Sequence, residues 1–310
     1  MQKLLILCGP TGIGKTALSL EVAEKMGAEI IGADSQTVLK DFNIGTAKPS
    51  SEEQERVPHH LLDVVCFNEV FDAVSFVKLA DEAIAAVRSK NKIPLICGGS
   101  GLYLKALVYG LMEAPKRDVG FRKALEERIE QEGLQNLYQE LQTIDAFRAA
   151  QIHPHDALRI IRALELHHLS GQKPSALSSA HQFREKRYET LKIGLRLPLE
   201  ELYARINARV IKMLEAGWLT EVQGLLTKGY DLLYSKTQAL GYKTLALHLE
   251  GKISLEQAIK QIQKETRHYA KRQMTWFRAD PEIVWFHPQA VGEILEKINF
   301  FLATFLESRR

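Results

Sequence analysis

Gly9, Pro10, Thr11, Gly12, Ile13, Gly14, Lys15 and Thr16 spell GPTGIGKT, a match to G-x-x-x-x-G-K-[ST]. The chemistry of such a loop is anion binding. Its glycines let successive backbone N–H groups turn toward one phosphate, Lys15 adds a positive charge, and the Thr16 hydroxyl suits a Mg²⁺ ion. The apolar run Leu4–Cys8 precedes the loop and a helical pattern follows it, so the positive end of a helix faces the same anion. The loop specifies a polyphosphate and leaves ATP, GTP and a prenyl diphosphate open. GTP is disfavoured because the chain has no N-K-x-D; NKIP at 91–94 lacks the Asp.

Carboxylates come next. In an open parallel sheet, ligands sit at the carboxyl ends of the strands. Asp34 ends the apolar run EIIGAD and is expected beside the phosphate loop, as a general base or a metal ligand. Asp63 ends HHLLD and is an equal match for a cap or a metal carboxylate. Gly98-Gly99-Ser100-Gly101 closes another apolar run on the same rim, where the Ser100 hydroxyl can bind a substrate or cap a helix.

Positive charge gathers on helical faces. In 254–278, Lys260, Lys264, Arg267, Lys271 and Arg278 fall within about 60° on a helical wheel, a stripe read as free of acidic residues and suited to a polyanion. Near 157–170, with Asp156 as N-cap and Gly171 beyond the end, Arg159 and Arg162 share a face. His153 and His155 form an H-x-H pair that lacks a third ligand for zinc. Trp276, Phe277, Trp285 and Phe286 are able to stack on bases but are expected in the core.

These groups need a scaffold. Short apolar runs at 4–8, 29–34, 59–65 and 93–97 alternate with helices near 15–26 and 72–89, the pattern of βαβ units and a mostly parallel sheet. From about 115 to 190 the chain is rich in Glu, Gln, Arg and His with helical spacing and no strand. Strand patterns return at 190–197 and 282–286. The expected architecture is therefore an α/β core, 1–114 and 191–310, carrying an all-helical insertion at 115–190.

Composition bounds the function. Over 310 residues, 41 Lys+Arg against 38 Asp+Glu leave a net charge of +3, which excludes a uniformly basic nucleic-acid coat but not a local patch. Apolar runs of about five residues fall far short of a membrane span, and the N-terminus lacks a signal-peptide pattern, so a cytoplasmic protein is expected. The three cysteines, Cys8, Cys66 and Cys97, form no C-x-x-C pair and read as buried, reduced thiols. With no zipper or long exposed apolar stripe, a monomer is the default.

Several segments together resemble the tRNA dimethylallyltransferase family, whose members prenylate the adenosine next to the anticodon. They are GPTGIGKT, ADSQ at 33–36, IGTAKP at 44–49, PHHLLDV at 58–64, CGGSGLYLKAL at 97–107, HPHDALRIIRALE at 153–165, QALGYK at 238–243 and TRHYAKRQMTWFR at 266–278. The resemblance implies a P-loop NTPase-like fold that takes dimethylallyl diphosphate in place of ATP. Gly9 to Thr16 would hold the diphosphate, with Thr16 on Mg²⁺ and Arg209 nearby. Asp34 matches the family's general base, and Ser100 stands where a Thr is usual. Asp34, Ser35, Gln36, Thr37, Ser100, Arg122, Leu158, Arg159, Ile160, Ile161 and Arg162 match tRNA-contacting positions, and the helical insertion would grip the anticodon stem-loop. Lys264, Arg267 and Lys271 are added from the basic stripe. The chain departs from the family pattern at Thr37 and Leu39, where Gln and Tyr are usual, and at His155, where Asn is usual. The rival readings are a nucleotide kinase or ATPase using Asp63, an isopentenyltransferase for free AMP, and a non-catalytic RNA-binding module.

Overall fold

The computed structural model describes residues 1–111, 115–181, 185–233 and 239–307. Gln238, in QALGYK, lies outside them. In chain order the first elements are β1 (Gln2–Cys8), α1 (Lys15–Met26), β2 (Ala28–Gly32), α2 (Ser51–Arg56), β3 (His59–His60), α3 (Ala73–Ser89), β4 (Ile93–Gly98) and α4 (Gly101–Tyr109). A helical segment follows: α5 (Val119–Glu132), α6 (Leu134–Ile144), α7 (Ala146–Ala149), α8 (Ala157–Ser170) and α9 (Pro174–His181). The chain then forms β5 (Tyr188–Leu195), α10 (Leu199–Glu215), α11 (Trp218–Thr227), α12 (Tyr242–Leu249), α13 (Leu255–Arg278), β6 (Ile283–Phe286) and α14 (Val291–Glu307). Two compact units result, Met1–Val108 with Arg187–Arg310 and Tyr109–Lys186.

In the first unit six parallel strands run in the order β3-β2-β4-β1-β5-β6. β1 is central and almost entirely apolar, as a strand covered on both faces must be. Leu5 pairs with Leu95 on β4 and with Leu191 on β5. Leu18, Leu20, Val22 and Ala23 of α1 and Ile294 and Ile298 of α14 pack with the sheet's own Leu5, Leu7, Ile30 and Leu95 in one core. A second core, around Phe42, Trp218, Tyr242, Leu245 and Ile262, joins α10 to α13 to the loop that follows β2. Tyr242 lies under Phe42, with ring centroids 4.7 Å apart. Its hydroxyl donates to Glu221, and Glu221 also accepts from the amides of Asn43, Ile44 and Gly45, so one carboxylate shapes the IGTAKP turn.

The expected strand 59–65 is much shorter. Only His59–His60 pair with β2, and the chain then turns through positive φ at Leu61 and Asp63. Asp63 therefore does not end a strand at the sheet rim. It accepts from Lys48, whose buried side chain also donates to the Leu39 carbonyl and to Asn43. Leu39, at the position where the family has Tyr, is buried in the second core and bridges to Val65.

The second unit is held by Leu125, Leu137, Leu141, Ile152, Ile160, Ile161 and Leu164. Asp118 caps α5 and Asp156 caps α8, each accepting from the amide three residues on, worth about 1 kcal/mol apiece. Glu165, fully buried, receives two bonds from Arg122, one from Arg162 and one from the Asp118 amide. Burial pushes its carboxyl upward, but these donors win and hold it down at about 2.

Candidate active site

The loop between β1 and α1 opens onto a cavity of about 560 Å³ in the first unit. Gly12, at φ +78°, must be glycine: a Cβ there would lie 2.7 Å from Ile206 of α10. Thr11, Gly12, Gly14, Lys15 and Thr16 line the cavity. Ile13 does not; its side chain is fully buried in the sheet core, so it serves the loop through its backbone. Gly9 and Pro10 contribute carbonyls, each accepting a 2.9 Å bond from Lys15 Nζ. Burial lowers the Lys15 ammonium from its ordinary range, while the Asp34 charge works in the opposite direction.

Asp34 lies two residues past β2, on the cavity wall. The Gln36 amide donates to Asp34 Oδ1 at 2.9 Å, which turns the chain and orients the carboxylate. Ser35, Gln36 and Thr37 also line the cavity. Ser100 is engaged differently from expectation: its Oγ accepts from the Ser35 amide at 3.2 Å, and the residue is not on the cavity wall. Through that bond it positions the turn that carries Asp34. Across the cavity, Arg209 of α10 makes no hydrogen bond or ion pair with a described residue. Burial lowers its guanidinium, and Asp34 opposes that shift. A largely buried cation without a partner is costly unless an anion joins it.

One helix spans the site. Ile262, Thr266, Tyr269, Arg272 and Gln273 of α13 all line the cavity. At 1.5 Å per residue, the stretch from Ile262 to Gln273 is about 16 Å long. The Ile262 end is apolar, walled by Val210, Met213, Trp218 and Ala239, whereas the Gln273 end meets the phosphate loop. Buried Gln273 accepts from the Thr11 amide at 2.9 Å and donates to the Gly99 carbonyl at 3.0 Å, tying the loop after β1 to the loop after β4. Arg272 stands over the Tyr269 ring, 5.8 Å from its centroid, and burial, then the Asp34 charge, raises the Tyr269 phenol. Tyr269, Arg272 and Gln273 were not singled out in the sequence, although they lie inside the TRHYAKRQMTWFR segment.

Other expected contacts are placed elsewhere. At 100° per residue, Lys260, Lys264, Lys271 and Arg278 lie on the face of α13 opposite the cavity stripe. That face is not free of acid either, because Lys260 pairs with Glu256. Arg267 donates to Asn207 Oδ1 at 2.6 Å and stands over Tyr203, bracing α13 on α10. In the helical unit, Ile160 and Ile161 are core residues whose side chains are closed to RNA. Leu158 and Arg159 are exposed, the latter paired with Asp156. Arg122 and Arg162 commit donors to Glu165. Of the aromatics, Phe277 is core and Phe286 packs against the sheet core, but Trp276 is exposed. Cys66 is exposed as well, contrary to the expected burial of all three thiols.

Among the described residues no three His, Cys, Asp or Glu side chains converge on one point. A metal at this site would draw its ligands chiefly from a substrate. Mg²⁺ suits that arrangement, since it keeps waters and binds through one or two protein oxygens plus phosphates, and Thr16 and Asp34 supply such oxygens on the cavity wall.

Residues 37–280 match the IPP transferase family. The chain belongs to that family. It is 43% identical over 300 residues to a tRNA dimethylallyltransferase of Geobacter metallireducens, covering 96% of this chain and 97% of that one. It is 45% identical over 283 residues to a tRNA dimethylallyltransferase of Syntrophobacter fumaroxidans, covering 91% and 83%. Among solved structures, the full-length tRNA isopentenylpyrophosphate transferase of Bacillus halodurans is similar with a TM-score of 0.71 at 35% identity, over 99% of this chain and 98% of that one. A eukaryotic dimethylallyltransferase acting on tRNA is similar with a TM-score of 0.80 at 28% identity, over 100% and 80%. In this IPP transferase one cavity joins the GPTGIGKT loop to an apolar wall.

Proposed function

We propose that this IPP transferase moves a dimethylallyl group from dimethylallyl diphosphate to the exocyclic amine of the adenosine 3′ of the anticodon in tRNA, releasing diphosphate. The observation that carries the reading is one cavity holding a phosphate loop, an Arg209 without a hydrogen-bond or ion-pair partner among the described residues, a carboxylate at Asp34 and an apolar wall. An exocyclic adenine amine is a weak nucleophile, because its lone pair is delocalised into the ring. The allylic donor compensates, since its C1 develops positive charge as the C–O bond breaks. Lys15, the loop amides and Arg209 stabilise charge on the departing diphosphate. As the N–C bond forms, the amine becomes acidic and Asp34 accepts its proton. Thr16 would hold Mg²⁺, which when bound neutralises diphosphate charge. The adenine leaves its stack to reach the cavity, and the helical unit grips the anticodon stem-loop.

No described helix is long and apolar enough to cross a membrane. We place the enzyme in the cytoplasm with its RNA substrate and expect it to act as a monomer. The test offers labelled dimethylallyl diphosphate and unmodified tRNA, with ATP as control. Label enters the RNA and ATP is not turned over. ATP turnover without transfer to RNA would favour a nucleotide kinase, and transfer to free AMP alone would make the acceptor a nucleotide.

A further inference from the structure

Thr266, Tyr269, Arg272 and Gln273 form the cavity stripe of α13. Trp276 lies four residues beyond Arg272 and three beyond Gln273, so it continues that stripe past the end of the cavity. An indole there would ordinarily be covered, yet Trp276 is 42% exposed. It is nonetheless seated. A Cβ at Gly101 would lie 2.1 Å from Trp276 Cδ1, so the indole rests against the bare backbone of α4's first residue, and another residue at 101 would displace it. Gly101 follows Ser100, which holds the Ser35 amide beside Asp34. Trp276 therefore marks the rim on the proton-acceptor side, remote from the apolar end at Ile262. Leu102, next in sequence to Gly101, is 49% exposed, and exposed Arg272 adds positive charge one turn back along α13.

This combination fits a flat, polarisable ring attached to a phosphate chain. When a base is extruded from a strand, its neighbours lose a stacking partner, and an aromatic side chain is able to replace it. We infer that Trp276 is a stacking platform for a nucleobase adjacent to the reactive adenosine. The inference rests on the RNA-acceptor reading above and extends it to a flanking nucleotide.

The test measures binding of an anticodon stem-loop RNA to the full-length protein. Trp276→Ala raises the Kd about tenfold, whereas Trp276→Phe, which keeps a ring, retains most of the affinity. The KM for dimethylallyl diphosphate stays at the wild-type value in both, which also reports an intact cavity. Replacing either neighbour of the target adenosine by an abasic nucleotide identifies the partner. At one position the replacement weakens wild type about tenfold and leaves Trp276→Ala unchanged. Equal losses in both proteins overturn the inference, as does a Trp276→Ala change confined to the diphosphate KM. The unsubstituted protein offers a second readout, because acrylamide quenching of tryptophan emission falls when the stem-loop binds; unaltered quenching counts against the platform. A wild-type protein that binds no stem-loop at all overturns the acceptor reading itself.

Discussion

One oxygen of Asp34 is already held by the Gln36 amide, so its orientation does not depend on charge alone. Asp34→Asn preserves the shape and removes the proton acceptor. We expect the single-turnover transfer rate to fall about 10²-fold or more, with the Kd for RNA unchanged; a normal rate would remove Asp34 from the mechanism. Asp34 and Lys15 were legible from a strand end and a short motif, whereas Arg209, in the middle of α10, was reached only through the family resemblance. Gln273 was not legible. Its partners Thr11 and Gly99 lie 262 and 174 residues away, and no local pattern marks a glutamine that joins two distant loops. Asp63 was misplaced for the same kind of reason: its role is set by Lys48, brought to it by a turn at positive φ that apolar patterning does not reveal.

α13 illustrates what an element shows of itself before it is packed. Its extent and basic stripe were readable, since they depend on spacing along one helix. Which face turns toward the cavity depends on α10, and it is the face carrying Arg272 and not Lys271. Accordingly, Arg272→Ala should lower the slope of log Kobs for RNA against log salt by about one, while Lys271→Ala leaves it unchanged; the reverse result would restore the stripe as the RNA contact. In the helical unit the buried Glu165 gives a pH signature. Its folded value of about 2 lies below its ordinary 4.5, so its contribution to stability is full above the ordinary value and is lost as pH falls toward 2. Glu165→Gln should flatten the acid limb of the unit's unfolding curve and lower stability by about 2 kcal/mol, as chemical denaturation at several pH values would reveal.

For the whole chain, alternation of strands and helices followed by a polar helical stretch was enough to expect an α/β core with an insertion. The units part at Tyr109 and Lys186, where the pattern alone suggested 115 and 190. The chain leaves and re-enters the core at one spot, because the Arg187 amide donates to the Val108 carbonyl at 2.7 Å. A chain in which a short Gly-rich linker replaces 109–186 should therefore remain cooperatively folded, bind inorganic diphosphate and bind the stem-loop weakly. A molten core would show that the insertion is needed for folding. That single backbone bond also has an evolutionary reading. Whatever enters between Val108 and Arg187 only has to begin and end within one hydrogen bond's reach, so different segments can be grafted there while the sheet and its GPTGIGKT loop are inherited intact.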